Sequence, residues 1–470
     1  MNDLKSQNPD TCEGISIKFV LNGHTVEVEN VDPNTLLINY LHANDIGLIG
    51  TKLVCGEAGC GACTVMQTKW DIVQQRLIDQ PINSCIHPLV ACDGMMITTT
   101  EGLGNTKTAL NPVQFKLAAN NGSQCGFCSA GFVMNMQSML QAKGDALTEK
   151  EIESALDGHI CRCTGYRPIL EGFKQFASDY TPPLNAPEIY VDPEYLPKQG
   201  EFEQVSPPLS FLSYMKEPRD ISGGDISKEY FRPSNMDQLH DTLRLFVEYS
   251  MGMQFMAGNS SIGIYKTRSL YCEASNRYPN VIDLTRVPEL THNLTPTSTA
   301  SDDLVVGASI SLADLSDQLQ RRIDDGPEDA TRGFRNLLRH IGWVANHQVR
   351  QVASLAGNLS MAINSGFLSD MIVVLEAMGA KVAVDDWSLG NGPQTLNPLQ
   401  LPVDAINGKP SLYTSVTMPA TDAKQYIVSH KVRSRPDNSH AIVNNALWVC
   451  IQDGHIMDCL LYTSPSPRDS

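Results

Sequence analysis

Cys55, Cys60 and Cys63 stand with four and then two residues between them, and Cys85 follows after a longer gap. This is the plant-type spacing of a [2Fe-2S] site, where two irons bridged by two sulfides need four thiolates converging from one side. A tight loop delivers three of them only if its backbone wraps closely. Gly56, Gly59 and Gly61 permit that, because a residue without Cβ takes positive φ and lets amides approach the sulfurs. Those amides would tune the potential of the centre. The alternative is a structural zinc site, although zinc prefers paired two-residue spacings. Cys92 lies outside the pattern and reads as a small buried apolar side chain.

A second set follows. Cys125 and Cys128 flank Gly126-Phe127, and Cys161 and Cys163 flank Arg162 about thirty residues later, with helical sequence between. Two pairs at adjacent helix ends can meet over one centre, and the positive potential at a helix N-terminus would favour thiolates. On spacing alone, CxxC with CxC also suits zinc or a redox dithiol.

Thirteen cysteines in one chain read better as ligands than as disulfides in the cytosol, where thiols are kept reduced. Cytosol is the expected compartment, because residues 1–14 hold no apolar core of a secretory signal and no arginine-rich transit pattern. No apolar run approaches the roughly 18–20 residues of a bilayer span, so no membrane partner is expected. A formal charge of −17 repels phosphate backbones and argues against nucleic acid.

At 470 residues the chain should hold three or four folding units, at roughly 150 residues each. Residues 15–28 alternate apolar and polar positions around Asn22-Gly23, a strong hairpin signal, and a helix is expected over 35–44 after Asp32-Pro33. Residues 111–174 read as helices, with Pro112 near a first turn and a capping box at Thr148 to Glu151. Residues 181–224 are dense in proline and read as an extended linker. Beyond them, strand candidates at 281–284, 304–308 and 381–384 alternate with helical stretches at 236–250 and 333–342, an α+β pattern. A strand candidate at 446–451 leads to no further element. Residues 460–470 (LLYTSPSPRDS) read as a non-native tail, so the natural protein is expected to continue past it.

The segments CGEAGCGACTV (55–65), QCGFCSAGFVM (124–134) and HICRCTGYRPI (159–169), in this order, resemble the molybdenum hydroxylases, the group of xanthine dehydrogenase and aldehyde oxidase. The resemblance covers about residues 16–450. It implies an α+β multidomain chain: a β-grasp 2Fe-2S ferredoxin-like domain over 15–100, an all-α four-helix 2Fe-2S domain over 105–180, the linker over 181–224, and an α+β FAD-binding domain of vanillyl-alcohol-oxidase (PCMH) type over 225–420. A flavoprotein C-terminal domain would start at 425–459. Cys55, Cys60, Cys63 and Cys85 would hold one cluster, and Cys125, Cys128, Cys161 and Cys163 the other. Gln124 matches the glutamine that contacts the pterin cofactor.

Two Gly-Asn turns, FMAGNSSIGI (255–264) and VASLAGNLSMA (352–362), each break an apolar run into small residues whose backbone N–H groups could cradle a pyrophosphate. Either alone is more simply an ordinary turn. As an ordered pair they resemble the family's flavin domain, which carries FAD contacts onto Gly258, Asn259, Ser260, Ser261, Ser354, Asn358, Asp370 and Lys431. In that likeness Asp370 suits a ribose hydroxyl and Lys431 the flavin edge. Ser260 replaces a commoner threonine, and the stretch from Asn358 to Asp370 is about three residues longer than the usual pattern. Gly342 stands before Trp343 where NAD-using dehydrogenases have arginine, and Ser439 where they have an acidic residue, which favours dioxygen over NAD as electron acceptor.

The resemblance implies electron transfer from a molybdopterin centre through two clusters to FAD. The molybdenum centre and its catalytic residues are expected in following domains or a separate subunit, with full-length members pairing as homodimers. A separate FAD/2Fe-2S subunit of a multisubunit dehydrogenase, or a zinc-binding scaffold without turnover, are the alternatives.

Overall fold

Asn22 and Gly23 both take left-handed backbone angles (φ 49° and 83°), the turn geometry whose twist matches that of its flanking strands. The chain therefore folds back as the expected hairpin, β1 (Ile15–Leu21) against β2 (His24–Val31). The helix that follows, α1 (Leu37–Leu41), is shorter than its predicted span. Leu36 stays extended and bridges to Pro88, which delays the helix start, while Leu37, Ile38 and Leu41 are buried. With β3 (Thr64–Asp71), β4 (Arg76–Asn83) and β5 (Met96–Thr98) the strands form one sheet in the order β2-β1-β5-β3-β4, with β1 and β5 parallel. The computed structural model describes residues 14–107, 109–182, 205–225, 228–248, 253–266, 280–295, 302–385, 393–402 and 411–463.

Four helices come next: α2 (Pro112–Ala119), α3 (Ser129–Lys143), α4 (Glu149–Ala155) and α5 (Arg167–Lys174). Asn111 with Gln114 closes a capping box on α2, and Thr148 with Glu151 closes the predicted one on α4. Val113, Leu117, Phe132, Met136, Ile152 and Phe173 make their common core. The stretch 181–224 is not linker throughout: Leu209–Lys216 forms α6, entered after Pro208. Phe211 and Met215, one helical turn apart, bury against Val20 and Met96 of the sheet, and this apolar pair outweighs the proline-rich composition around it. Residues 183–204 of the predicted linker lie outside the described residues.

The chain divides into two compact units. One comprises Met1–Pro218 with Ile262–Leu270 and Asn346–Val349, the other Arg219–Ser261, Tyr271–Ala345 and Arg350–Ser470. The second contains a mixed sheet ordered β6-β7-β9-β8, from β6 (Ile221–Asp225), β7 (Lys228–Arg232), β8 (Gln254–Met256) and β9 (Asn280–Asp283), with α7 (Met236–Glu248) before β8. The helix α8 (Ser261–Lys266) follows β8, and α9 (Pro288–Thr291) follows β9. An antiparallel sheet ordered β10-β13-β11-β12 is built from β10 (Leu304–Gly307), β11 (Lys381–Asp385), β12 (Gln394–Leu396) and β13 (Leu412–Met418). Between β10 and β11 run α10 (Leu312–Asp325), α11 (Glu328–Ile341), α12 (His347–Val352), α13 (Leu355–Ser365) and α14 (Ile372–Ala377). Leu315, Leu319, Phe334, Leu337, Val374, Val382 and Val416 share the main core of this unit. The mixed helix and sheet content is that of an α+β multidomain chain.

A fourth sheet, antiparallel, closes the described chain: β14 (Gln425–Arg433), β15 (Ala441–Gln452) and β16 (His455–Thr463). This corrects the reading of 460–470 as a tail that fits no element. Asp453 and Gly454 (φ 51° and 76°) make a hairpin turn, and Leu460, Leu461, Tyr462 and Thr463 pair with Trp448, Leu447, Ala446 and Asn445. Residues 464–470 lie outside the described residues. β16 is one of its two edge strands, and Ile456, Met457 and Leu461 on it are each more than three-fifths exposed. Among the described residues no helix is long and apolar enough to cross a membrane.

Candidate iron-sulfur and flavin sites

Cys55 and Cys60 lie in the irregular loop between α1 and β3, and Cys63 directly precedes β3. The pairing of Thr64 with Asn83 closes the β3-β4 hairpin and brings the chain beyond β4, with Cys85, back beside Cys63. Ser84 ties the two ends, donating its N–H and its hydroxyl to the Cys63 carbonyl at 3.2 and 2.7 Å. The four thiols form one network: Cys55 with Cys60 and Cys85, and Cys85 with Cys63. Hydrogen bonds from Cys60 and Cys85 hold Cys55 well below the ordinary thiol range, and the bond from Cys85 lowers Cys63. Their partners Cys60 and Cys85 are pushed up, chiefly by the bond to Cys55.

Amides reach these sulfurs as the sequence suggested. Glu57 donates its N–H to Cys55 Sγ at 3.3 Å, and Asn83 Nδ2 donates to Cys63 Sγ at 3.6 Å. Gly56 and Gly61 take φ of 66° and 71°, but the third left-handed residue is Ala58 (φ 58°), not Gly59. Gly59 supplies a backbone N–H to Cys55 instead. Cys92 is fully buried, as expected of an apolar filler.

In the second set, Cys125 bonds to Cys163 and Cys128 to Cys161. Cys128 is the residue that enters α3, and burial, with the hydrogen bond to Cys161, pushes its thiol up to about 12. Burial also raises Cys161, yet the Thr164 hydroxyl at 3.1 Å and the Thr164 N–H at 3.5 Å bring it below the ordinary value. Gly126, Gly165 and Tyr166 turn these loops with φ of 79°, 70° and 71°. Gln124 is exposed beside Cys125.

All cysteines among the described residues are free thiols. Among those residues no three His, Cys, Asp or Glu side chains are disposed to hold a single metal ion. The donor chemistry fits a two-iron centre at each set: four thiols linked in a chain of hydrogen bonds at the first, two bonded pairs at the second, with loops that bring amides to sulfur.

The two sets meet through residues that spacing did not flag. Ile160 donates its N–H to the Cys60 carbonyl at 3.1 Å. Gly131 lies so near Gly61 that a Cβ on it would stand 2.1 Å from the Gly61 carbonyl oxygen, and a Cβ on Gly61 would stand 2.5 Å from the His159 ring. His159 is buried, packs on Phe132 with ring centroids 4.5 Å apart, and has Gln348 Nε2 at 3.0 and 3.1 Å from its two ring nitrogens. Burial lowers its pKa to about 4. In the same unit Asn346 Nδ2 donates to the Ala58 carbonyl at 2.8 Å.

In the second unit the two Gly-Asn segments are adjacent, but only the first is a turn: Gly357 and Asn358 lie in the first turns of α13, because Ser354 caps a helix there. Gly258 and Asn259 form a left-handed pair after β8 (φ 82° and 56°), and a Cβ on Gly258 would stand 1.9 Å from the Val352 carbonyl oxygen. Ser260 and Ser261 lead into α8. Ser354 caps α13, accepting the Gly357 N–H at 3.0 Å, and Asn358 Oδ1 accepts the Ser369 hydroxyl at 2.5 Å. Close backbone approach enforced at a left-handed Gly-Asn pair is the geometry an anion cradle needs, and these residues fit a dinucleotide there.

The structure pairs Asp370 with Lys431, whereas the resemblance gave each its own contact to the cofactor. Lys431 Nζ stands 3.0 Å from Asp370 Oδ2 and donates to the Trp343 carbonyl at 2.8 Å, while Asn444 Nδ2 donates to Asp370 Oδ1 and to the Ser369 carbonyl, both at 3.1 Å. Both charged side chains are buried, and burial lowers the Lys431 pKa against the pull of Asp370. Ser369 and Asn444 were missed by the motifs: Asn444 lies on β15 just ahead of the strand expected at 446–451. The guanidinium groups of Arg339 (5.5 Å) and Arg433 (5.4 Å) both lie over the Trp343 ring, and Ser439 donates its hydroxyl to the His440 carbonyl at 3.3 Å.

The 2Fe-2S iron-sulfur cluster binding domain family matches residues 19–90, the [2Fe-2S] binding domain family residues 99–174, and the FAD binding domain in molybdopterin dehydrogenase residues 224–391. Xanthine dehydrogenase of Drosophila pseudoobscura pseudoobscura is 31% identical over 92% of this chain and 33% of its own length. Xanthine dehydrogenase/oxidase of Gallus gallus is 30% identical over 95% and 34%, and aldehyde oxidase 1 of Oryctolagus cuniculus 29% identical over 93% and 33%. The chain thus spans about a third of the length of these relatives. Among solved structures, quinoline 2-oxidoreductase from Pseudomonas putida 86 is 31% identical over 34% of this chain and 90% of that one, with a TM-score of 0.29.

Proposed function

Because the chain belongs to the molybdenum hydroxylase family, as its N-terminal iron-sulfur and FAD portion, we propose that it relays electrons from a molybdopterin site through two [2Fe-2S] clusters to FAD. When bound, the clusters supply one-electron carriers and the flavin links one-electron to two-electron chemistry. The observation that carries the reading is the gathering of eight thiols into two contacting sets, joined by the Ile160 to Cys60 hydrogen bond.

Cys55, Cys60, Cys63 and Cys85 would ligate one cluster and Cys125, Cys128, Cys161 and Cys163 the other, with Glu57 and Asn83 donating to sulfur in the first. Gly258, Asn259, Ser260, Ser261, Ser354 and Asn358 would cradle the FAD pyrophosphate, and the Asp370–Lys431 pair would brace the wall beside them. Gln124, exposed beside Cys125, would meet a pterin carried by another domain or subunit. No catalytic residue for substrate is proposed in this chain: oxidation of a purine or an aldehyde would belong to the molybdopterin-binding partner. Gly342 and Ser439 favour dioxygen over NAD as the final acceptor, since neither supplies the charged group the NAD-using relatives have there. The eleven cysteines among the described residues, all free thiols, suit the cytosol.

Metal, labile sulfide and flavin analysis of anaerobically purified chain tests this, with electron paramagnetic resonance (EPR) after dithionite reduction. Two distinct [2Fe-2S] signals and bound FAD are expected. Zinc in place of iron would overturn the relay and restore the scaffold reading.

A further inference from the structure

We infer that the Thr164 hydroxyl sets the reduction potential of the cluster held by Cys125, Cys128, Cys161 and Cys163, by donating a hydrogen bond to the Cys161 sulfur. This rests on the iron-sulfur reading above. Thr164 Oγ1 is 3.1 Å from Cys161 Sγ. Between a hydroxyl and a thiol either atom could donate, but a ligand thiolate has no proton, so the hydroxyl must be the donor once metal is bound. Its rotor is fixed from the other side, because the Tyr166 N–H donates to the same Oγ1 at 3.1 Å and occupies a lone pair.

Tyr166 reaches this position in a left-handed conformation (φ 71°), which a bulky L-residue rarely adopts. In that conformation its phenol oxygen also accepts the Cys161 N–H at 3.1 Å. The Cys161 amide is thereby turned to Tyr166, and Thr164 meets the sulfur with both its hydroxyl and its N–H, the latter at 3.5 Å. Strain held at one residue so that two hydrogen bonds converge on a ligand cysteine is the mark of a built arrangement rather than an incidental turn.

The consequence is electrostatic. Reduction adds one electron, taken here from dithionite, and moves no proton and breaks no bond. The added negative charge is shared by the ligand sulfurs, so a donor at Cys161 stabilises the reduced state more than the oxidised one. Removing that donor makes reduction harder.

The test is a redox titration of the whole chain, followed by EPR, for wild type, Thr164→Val and Thr164→Ser, with Cys128→Ser identifying which signal belongs to this cluster. Thr164→Val keeps the shape and loses the O–H: its second-cluster midpoint should move to more negative potential while the other stays in place, and Thr164→Ser should restore the wild-type value. An unmoved midpoint in Thr164→Val overturns the inference, as does an equal shift in Thr164→Ser, which would assign the effect to the methyl group. Should Thr164→Val fail to assemble the cluster, pulsed EPR on the wild type decides. A hydroxyl deuteron coupled to this cluster within seconds of mixing into D2O supports the inference, and its absence overturns it. A wild type lacking both signals would instead overturn the iron-sulfur reading itself.

Discussion

The backbone N–H of Ile160 donates to the carbonyl of Cys60 at 3.1 Å, so the residue next to Cys161 is bonded to a member of the other cysteine set. The two sets therefore share one stretch of contacting backbone, and Gly131 and Gly61 are what allow it.

Gly131→Ala should test that contact. In a helix interior, alanine normally gains about 1 kcal/mol over glycine. Here the new Cβ would stand 2.1 Å from a carbonyl oxygen that belongs to backbone and cannot step aside, and overpacking of that kind costs about 1–3 kcal/mol. The net effect expected is destabilisation of the first unit, with a weakened magnetic interaction between the two reduced centres in low-temperature EPR. A variant as stable as the wild type, with unchanged spectra, would show that the backbone contact is loose.

Replacing Asn259 and Asn358 together by alanine should deplete bound flavin. Asn259 holds a left-handed turn, where alanine is disfavoured, and Asn358 ties the start of α13 to Ser369. Flavin released on denaturation and measured per chain gives the readout, and full occupancy in the double variant would count against the flavin site.

Asp370→Ala leaves Lys431 buried with its charge uncompensated. Breaking one side of a buried pair costs about 3–5 kcal/mol, so the second unit should unfold at markedly lower denaturant. Asp370→Asn with Lys431→Met removes both charges together and should lose less than Asp370→Ala alone. Tryptophan fluorescence through a urea titration distinguishes the two.

His340 supplies a pH dependence. Burial, aided by Lys431, Arg339 and Arg433, lowers its pKa from 6.5 to about 4. The unfolded chain then binds a proton that the folded chain refuses, so this contribution to stability is complete above about pH 6.5, falls as pH drops, and is gone by about pH 4. The loss is roughly 3 kcal/mol over the window. Denaturant midpoints of wild type and His340→Gln, compared at pH 7 and near pH 5, should converge as the pH falls; parallel curves would contradict the assignment.

The eight cysteines, the hairpin at Asn22-Gly23 and the capping box at Thr148 were legible because their signal is local: a spacing, a dipeptide or a four-residue pattern that needs no knowledge of the rest of the chain. Asp453-Gly454 carries the same kind of local signal and turns the chain into β16. Helix α6 was hidden because composition averages over prolines, while the helix depends on two residues finding Val20 and Met96. The Asp370–Lys431–Asn444 group and the His159–Gln348 contact could not be read at all. Their members lie between 61 and 189 residues apart, apart from the neighbouring Lys431 and Asn444, and only tertiary packing brings them together.

The outer side of β16 offers a row of backbone donors and acceptors, flanked by Ile456, Met457 and Leu461, that no further strand among the described residues takes up. Such an edge is a template for a second copy. On that edge Leu461→Lys would set a charge against strand addition.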